Sequence, residues 1–499
     1  MAQQPTAGGL LLVLAVLLPF AGMLAGLMSG GRRGQRLAWL TIVCGIGIVL
    51  AIAYRLLVSG AALRYPLGGW PPPLGVMLRA DGLSVCMLLV VAVVVGAVAI
   101  YANGDFTTPA GARETRGPLA FWLLLLAVWG ALNLVFVSGD VFTLYVALEL
   151  LTFAGVPLVS LDGRAETLQA ALRYLLFALI GSMSYLLGVF LLYGAYGTLD
   201  IAMLAGHIRA EPITWAAVAL MTAGMLAKTA LFPMHLWLPP AHAGAPAAAS
   251  ALLSALVIKG SWFVIVRLWV DVFAGVVNGS FAQLLAGLGA AAIVFGNVVA
   301  LRQIRLKLLI AYSTVAQIGY LFLFFPLAVQ HDGSRAVTGG LLQAISHASA
   351  KAAMFLAAGL IYATLGHDRI ADLRGAARSL PMTVTAFALA GATLIGLPPS
   401  GGFLAKWLLI SAALETGQWW WALVMLLGGL LTSIYVFMVV VRAMEPAAPD
   451  WSPKKQVPRY QQIVVLALAI CSFLLGLAVF LPVDVAQIGR STLPLAGAP

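Results

Sequence analysis

The sequence predicts an all-α polytopic membrane protein of about fourteen spanning helices. Three observations carry that class. Of 499 residues, 62% are hydrophobic and only 9% charged, with a mean hydropathy of +1.02; soluble domains stay near half apolar. Apolar runs of about 18 residues or more recur from one end of the chain to the other. The short segments between them gather Gly, Pro and charged residues, which is turn chemistry. A β-barrel would alternate in segments of about 10 residues, whereas these runs are longer and apolar on every side.

Taken in order, the spans are expected at 9–29, 37–58, 83–103, 118–137, 141–160, 168–193, 214–238, 243–270, 281–301, 306–327, 337–364, 382–410, 418–443 and 461–483. The opening "MAQQPTAGGLLLVLAVLLPFAGMLAG" lacks the basic stretch of a cleaved signal peptide, so its apolar part reads as a retained first span. No connection is long enough to divide the chain, which leaves a single membrane domain over 1–499. Lysine and arginine in the connections orient it. The basic residues favour the loops after odd-numbered spans, with clusters at Arg32, Arg33 and Arg36, at Arg302, Arg305 and Lys307, and at Arg369, Arg374 and Arg378. The opposite side holds Arg55, Arg64, Arg79, Arg209, Arg267, Arg335 and Arg490. Both termini are therefore expected outside the cytoplasm of an inner (cytoplasmic) membrane. The same bias accounts for much of the net charge of +11 without a nucleic-acid partner.

Cys44, Cys86 and Cys471 are scattered on apolar segments, with no CxxC and no His/Cys cluster of metal-binding spacing. There is no Walker A loop and no GxGxxG after a strand. No metal, nucleotide or redox cofactor is expected in this chain.

Four lysines fall inside spans: Lys228, Lys259, Lys351 and Lys406. Only one acid, Glu149, clearly joins them; Asp140 sits at the mouth of its helix. An unpaired ion near the bilayer centre costs about 2.5–3.5 kcal/mol on insertion scales, so five would cost roughly 12–18 kcal/mol. Static salt bridges would need matching acids. An excess of amines points instead to groups that are neutral part of the time, because desolvation lowers a lysine's pKa and raises a glutamate's. Such residues mark proton or ion pathways. His347 lies four residues before Lys351, on one helix face, with Gln343 a turn earlier. His235 and His242 flank a predicted break at the cytoplasmic end and are candidates for admitting protons; a helix-end cap is the plainer alternative. His207, His331 and His367 read as solvated loop residues.

Two spans are interrupted. Pro233 breaks span 7 just after Lys228; Pro398 and Pro399, with Gly401 and Gly402, break span 12 just before Lys406. Paired interruptions suggest inverted repeats around a midplane site: spans 4–8 (118–270) and spans 9–13 (281–443), an odd number of helices inverting the second copy. The match is loose, since Lys228 precedes its break and Lys406 follows its own.

Six segments carry a resemblance: "GGWPPPLGVMLRADGLS", "DVFTLYVALELL", "AKTALFPMHLWLPPAHAGAPAAASALLSALVIKG", "RLKLLIAYSTVAQIGY", "HASAKAAMFLAAG" and "GLPPSGGFLAKWLL". Over roughly residues 70–445 the chain resembles the antiporter-like subunits shared by respiratory complex I, Mrp-type cation/proton antiporters and energy-converting membrane hydrogenases. The resemblance implies fourteen helices with two inverted five-helix repeats. It also implies a proton relay of Glu149 paired with Lys228, then Lys259, His347, Lys351 and, as exit, Lys406. Lysine at 406, the chain length and "GGWPPPLG" favour a Mrp D-like chain over the NADH-quinone oxidoreductase or hydrogenase alternative. Pro240 and Ser346 depart from the family's usual Asp and Asn. Implied partners are other hydrophobic membrane subunits, with protons and sodium or potassium as candidate ions. In a redox-driven complex, iron–sulfur clusters, flavin or quinone would belong to partners. A stand-alone solute transporter would need a roomy midplane pocket, and a scaffold that had lost transport would show gaps in the lysine line.

Overall fold

The computed structural model describes residues 4–108, 116–329, 334–446, 453–477 and 485–489. Arg113, His331 and Arg490, and residues 478–483 of the last expected span, lie outside the described residues. Among the described residues, 12 helices are long and apolar enough to cross a membrane. Two further expected spans are occupied by shorter apolar helices, Pro381–Ile395 and Arg459–Leu474. Helix starts follow the sequence chemistry: Asp81, Asp140, Asp200, Asn278 and Ser400 each accept a hydrogen bond from a backbone N–H of the first turn.

Burial sorts the helices. Leu10–Ser29 and Gly31–Ser59 are one-third buried over their most apolar stretch and present mainly Leu and Val outward. Ala247–Val272 is wholly buried there, Leu306–Ala328 89% and Ser334–Leu365 83%. Those three central helices carry Lys259, His347 and Lys351 or their partners. The polar line therefore runs through the middle of the bundle, shielded by helices that need only be greasy outside. Small residues allow close approach. A Cβ on Gly181 would meet the Gly224 carbonyl at 2.6 Å, so helices Ala165–Tyr196 and Pro212–Thr229 touch backbone to backbone.

The structure adds a two-stranded antiparallel hairpin, Leu63–Pro66 with Met77–Ala80, to the all-α expectation. Its strands are four residues long and contain Pro66, Arg64 and Arg79, too short and too mixed to show a period of two. The hairpin leads into Asp81, which Arg267 grips through both carboxylate oxygens. Arg267 also bonds Asp271 at 2.7 Å and Ser84 Oγ at 2.8 Å. Burial alone would raise the Asp81 carboxyl; the charge and hydrogen bonds of Arg267 outweigh it and hold the carboxyl well below its usual range. Stability from that depressed carboxyl is present above the unfolded value and lost only in strong acid. Arg267, counted with the connections for charge bias although it falls in the expected span 243–270, lies inside a buried helix.

Two β-bridges share one pattern. Asp140 faces Asp200, with Val141 N bonding Leu199 O and Ile201 N bonding Gly139 O. Arg305 faces Arg369, with Leu306 N bonding Asp368 O and Ile370 N bonding Ile304 O. The first ties the connection after span 4 to that after span 6; the second ties those after spans 9 and 11.

Candidate functional site

The helix Pro212–Thr229 ends one residue past Lys228, because Ala230 adopts a left-handed conformation (φ 58°) and Pro233 follows. The chain resumes as a short turn and the helix Leu238–Gly244. Lys228 Nζ lies 3.5 Å from the Glu149 carboxylate, at the edge of hydrogen-bond reach. Its short bond, 2.8 Å, goes to Thr152 Oγ1, with a further 3.3 Å contact to the Leu148 carbonyl. All three partners stand on Val141–Val159, the expected helix 5. The pair is therefore formed but loosely held, with a neutral hydroxyl ready to keep the ammonium if the carboxylate withdraws. A small cavity lined by Thr152, Tyr174, Lys228 and Ser261 opens from here toward the central helix, and Thr229 Oγ1 bonds Ser261 Oγ at 2.9 Å.

Lys259 is buried two residues before Ser261. A π-helical turn, Leu253–Val257, immediately precedes it; such wide turns frequent functional sites. Its ammonium donates to the Ser254 carbonyl. Ser254 Oγ then meets Thr314 Oγ1 at 2.9 Å, and Thr314 donates to the Ile310 carbonyl. The same carbonyl receives Lys351 Nζ at 3.0 Å, which also bonds Ser313 Oγ at 2.7 Å. Tyr435 donates to that Ser313 hydroxyl at 3.0 Å. Lys259 and Lys351 are thus joined by hydroxyls and one shared carbonyl, with no acid in that chain of bonds.

Helix Pro381–Ile395 stops at Gly396 (φ 90°) and resumes at Gly401 as Gly401–Glu415. Lys406 reaches back over the gap. Its Nζ bonds the Leu394 carbonyl at 2.7 Å and the Ile395 carbonyl at 3.0 Å, and sits 4.3 Å from the centre of the Tyr320 ring. Pro398 and Pro399 occupy the interruption, as expected.

The histidines divide. His347 is buried one turn before Lys351, and neither ring nitrogen has a hydrogen-bond partner among the described residues. His242 is also fully buried, stacked at 4.6 Å on Phe355, one turn beyond Lys351. It is fixed there by its own helix end: Arg305, Arg164 and Lys307 each donate to one of the consecutive carbonyls of Ala243, Gly244 and Ala245. His235 is buried away from this line, packed between Phe232 and Phe295. Of the sequence-predicted residues, the structure joins Glu149 with Lys228 and Lys259 with Lys351, places His347 and His242 a turn either side of Lys351, docks Lys406 on its own break, and leaves His235 apart.

Sequence reasoning missed the neutral partners, Thr152, Ser254, Ser313 and Thr314, which are too common in spans to stand out. It also missed the Asp81–Arg267 clasp, for which Asp271 four residues past Arg267 was an available sign.

Fold and site together define a bundle of membrane-spanning helices with two interrupted spans and four buried amines, of which Lys259 and Lys351 are bridged through hydroxyls. The family described as NADH:quinone oxidoreductase/Mrp antiporter, transmembrane, matches residues 138–432. The N subunit of NADH-quinone oxidoreductase from Desulforudis audaxviator is 36% identical over 460 residues, covering 86% of this chain and 90% of that protein. The D subunit of the Na(+)/H(+) antiporter from Bacillus subtilis is 28% identical, covering 84% and 82%. A chain of the Mrp complex from Dietzia sp. DQ12-45-1b superposes with a TM-score of 0.85 at 23% identity, over 97% of this chain and 98% of that one. The chain belongs to this antiporter-like family of membrane subunits.

Proposed function

We propose that the chain is the proton-translocating membrane subunit of a larger complex, carrying protons along Glu149, Lys228, Lys259, His347, Lys351 and Lys406. The observation that carries this reading is that each of the four buried lysines rests on neutral acceptors, so each can gain or lose its proton without stranding a bare charge. When Glu149 and Lys228 part, Lys228 stays on Thr152 without its counter-ion and releases a proton toward Ser261 and Lys259. The disturbance passes through Ser254, Thr314 and Ile310 to Lys351, and on to Lys406. His242, between the cationic collar and Lys351, is the uptake residue from the cytoplasm; His235 plays no part in it.

The repeats 118–270 and 281–443 fit the same scheme. The two matching β-bridges tie equivalent connections, and the two breaks fall in equivalent spans. Both termini lie on the non-cytoplasmic side, and any redox group belongs to partner subunits. The leading subtype is a Mrp D-like member of a monovalent cation/proton antiporter, for which Lys406 and the similarity to the Bacillus subtilis protein speak. A redox-driven pump is the second reading, supported by the similarity to the Desulforudis audaxviator protein.

The test is Lys259→Ala in the intact complex, in everted membrane vesicles carrying a pH-sensitive dye and energised in turn with NADH and with sodium or potassium pulses. Proton movement should vanish with the complex still assembled; wild-type movement would sink the relay. Whichever energy source drives the wild-type signal assigns the subtype, and mass spectrometry of the purified complex identifies the partners.

A further inference from the structure

Lys406 shares its acceptor. The Leu394 carbonyl also receives Gln317 Nε2, at 3.2 Å, from the helix Leu306–Ala328. Gln317 is fully buried, and its Oε1 receives Gln343 Nε2 at 3.0 Å. The direction of this chain is fixed by chemistry. A carbonyl can only accept, so Gln317 must present N–H to Leu394 and oxygen to Gln343; Gln343 must then present N–H to Gln317. The free end is Gln343 Oε1, buried and without a partner among the described residues. It lies on one helix face with His347, one turn away, whose ring nitrogens are equally unpartnered.

We infer that Gln317 and Gln343 are positioning residues that carry the protonation state of His347 to the Leu394 carbonyl, and so set how firmly Lys406 docks at its break. The inference rests on the relay reading above. An amide pair cannot itself carry charge, but it conducts polarisation. A proton gained by His347 makes both ring nitrogens donors. The chain His347, Gln343, Gln317, Leu394 is then complete, and aligned hydrogen bonds strengthen one another. The carbonyl is drawn toward Gln317, and its bond to Lys406, which competes for the same oxygen, weakens. Lys406 is released when a proton has reached the turn below it. The charged groups bearing on His347 are Lys259 on the central helix, Lys351 on its own helix and Lys406 across the break; no acid is among them.

The test uses the whole complex in everted vesicles, energised by whichever source drives the wild type. Gln317→Met and Gln343→Met keep bulk and remove the bonds. Each should slow proton movement about tenfold, the effect of one buried hydrogen bond of ~1.4 kcal/mol, and displace the acid limb of the pH–rate profile by roughly one unit. The double variant should be no worse than either single one, since one chain is cut in either place. Gln317→Asn, still polar but one methylene short of Leu394, should match Gln317→Met and serves if the apolar variant does not accumulate. Wild-type rates, a uniform loss with an unmoved pH profile, or additive losses would each overturn the inference. Lys406→Ala is measured alongside. If it transports normally, the relay reading fails; if it is inactive while the glutamine variants are normal, only this inference fails.

Discussion

The two interrupted helices solve one problem in two ways. At the first break, the lysine turns away from the gap: Lys228 pairs with Glu149 and Thr152 on another helix, and Trp237 Nε1 donates to the freed Ala227 carbonyl at 3.0 Å. At the second, the lysine is itself the cap: Lys406 binds the freed carbonyls of Leu394 and Ile395, with no carboxylate partner among the described residues. At the first break the charge can be switched by moving a neighbouring helix while the backbone stays capped. At the second, releasing the charge uncaps the Ile395 carbonyl and leaves Leu394 to Gln317 alone, so charge and conformation are coupled. The first suits a trigger and the second a gate.

Five variants break or sharpen this contrast. The largest effect is expected from Glu149→Ala or Lys228→Ala, which should abolish coupled proton movement while the protein remains in the membrane; normal transport at wild-type protein levels in both would end the trigger reading. Next is Gly396→Ala. A Cβ there would stand 2.9 Å from Lys406 Cδ, on a backbone with φ of 90°. Displacing Lys406 should slow transport about ten- to a hundredfold, read as proton flux per assembled complex. Trp237→Phe keeps the stack on Tyr174, 4.3 Å between centres, but removes the indole bond to the Ala227 carbonyl and leaves it only the Ala230 N–H at 3.2 Å. It should lower stability in detergent by about 1 kcal/mol with little change in rate, which thermal unfolding beside flux would show. The smallest effect is Ala230→Gly, which removes the one left-handed non-glycine residue among the described residues. A gain of up to about 1 kcal/mol is expected, the roughly 1–2 kcal/mol left-handed cost less the extra backbone entropy of glycine, and an unchanged melting temperature would mean the break stores no backbone strain there.

Much of this was legible in the sequence because it violates the bilayer's rules. Lys228, Lys259, Lys351 and Lys406 stand out in oily segments, and Pro233, Pro398 and Pro399 stand out in helices. The exceptions were visible, but their neutral partners were not. Gln317 and Thr314 are ordinary residues in a span, and only packing shows that one reaches Leu394 and the other Ser254. His242 reads as a helix-end residue from its place near a break. Its depth shows only in packing, where it stacks on Phe355 of a central helix while Arg164, Arg305 and Lys307 bond the carbonyls beyond it. The hairpin and the π-turn leave no periodic trace, since each spans too few cycles of its pattern to stand out from the flanking residues.

The paired β-bridges bear on how the chain is made. The latch that joins Asp140 to Asp200 joins Arg305 to Arg369, so one backbone device carries acids in the first half and arginines in the second. Arginine-bearing connections are retained on the cytoplasmic side during insertion, and acidic ones pass freely. In the proposed inverted repeats, the residues at the latches would thread the two halves into the membrane upside down to each other, before any helix has found its neighbour.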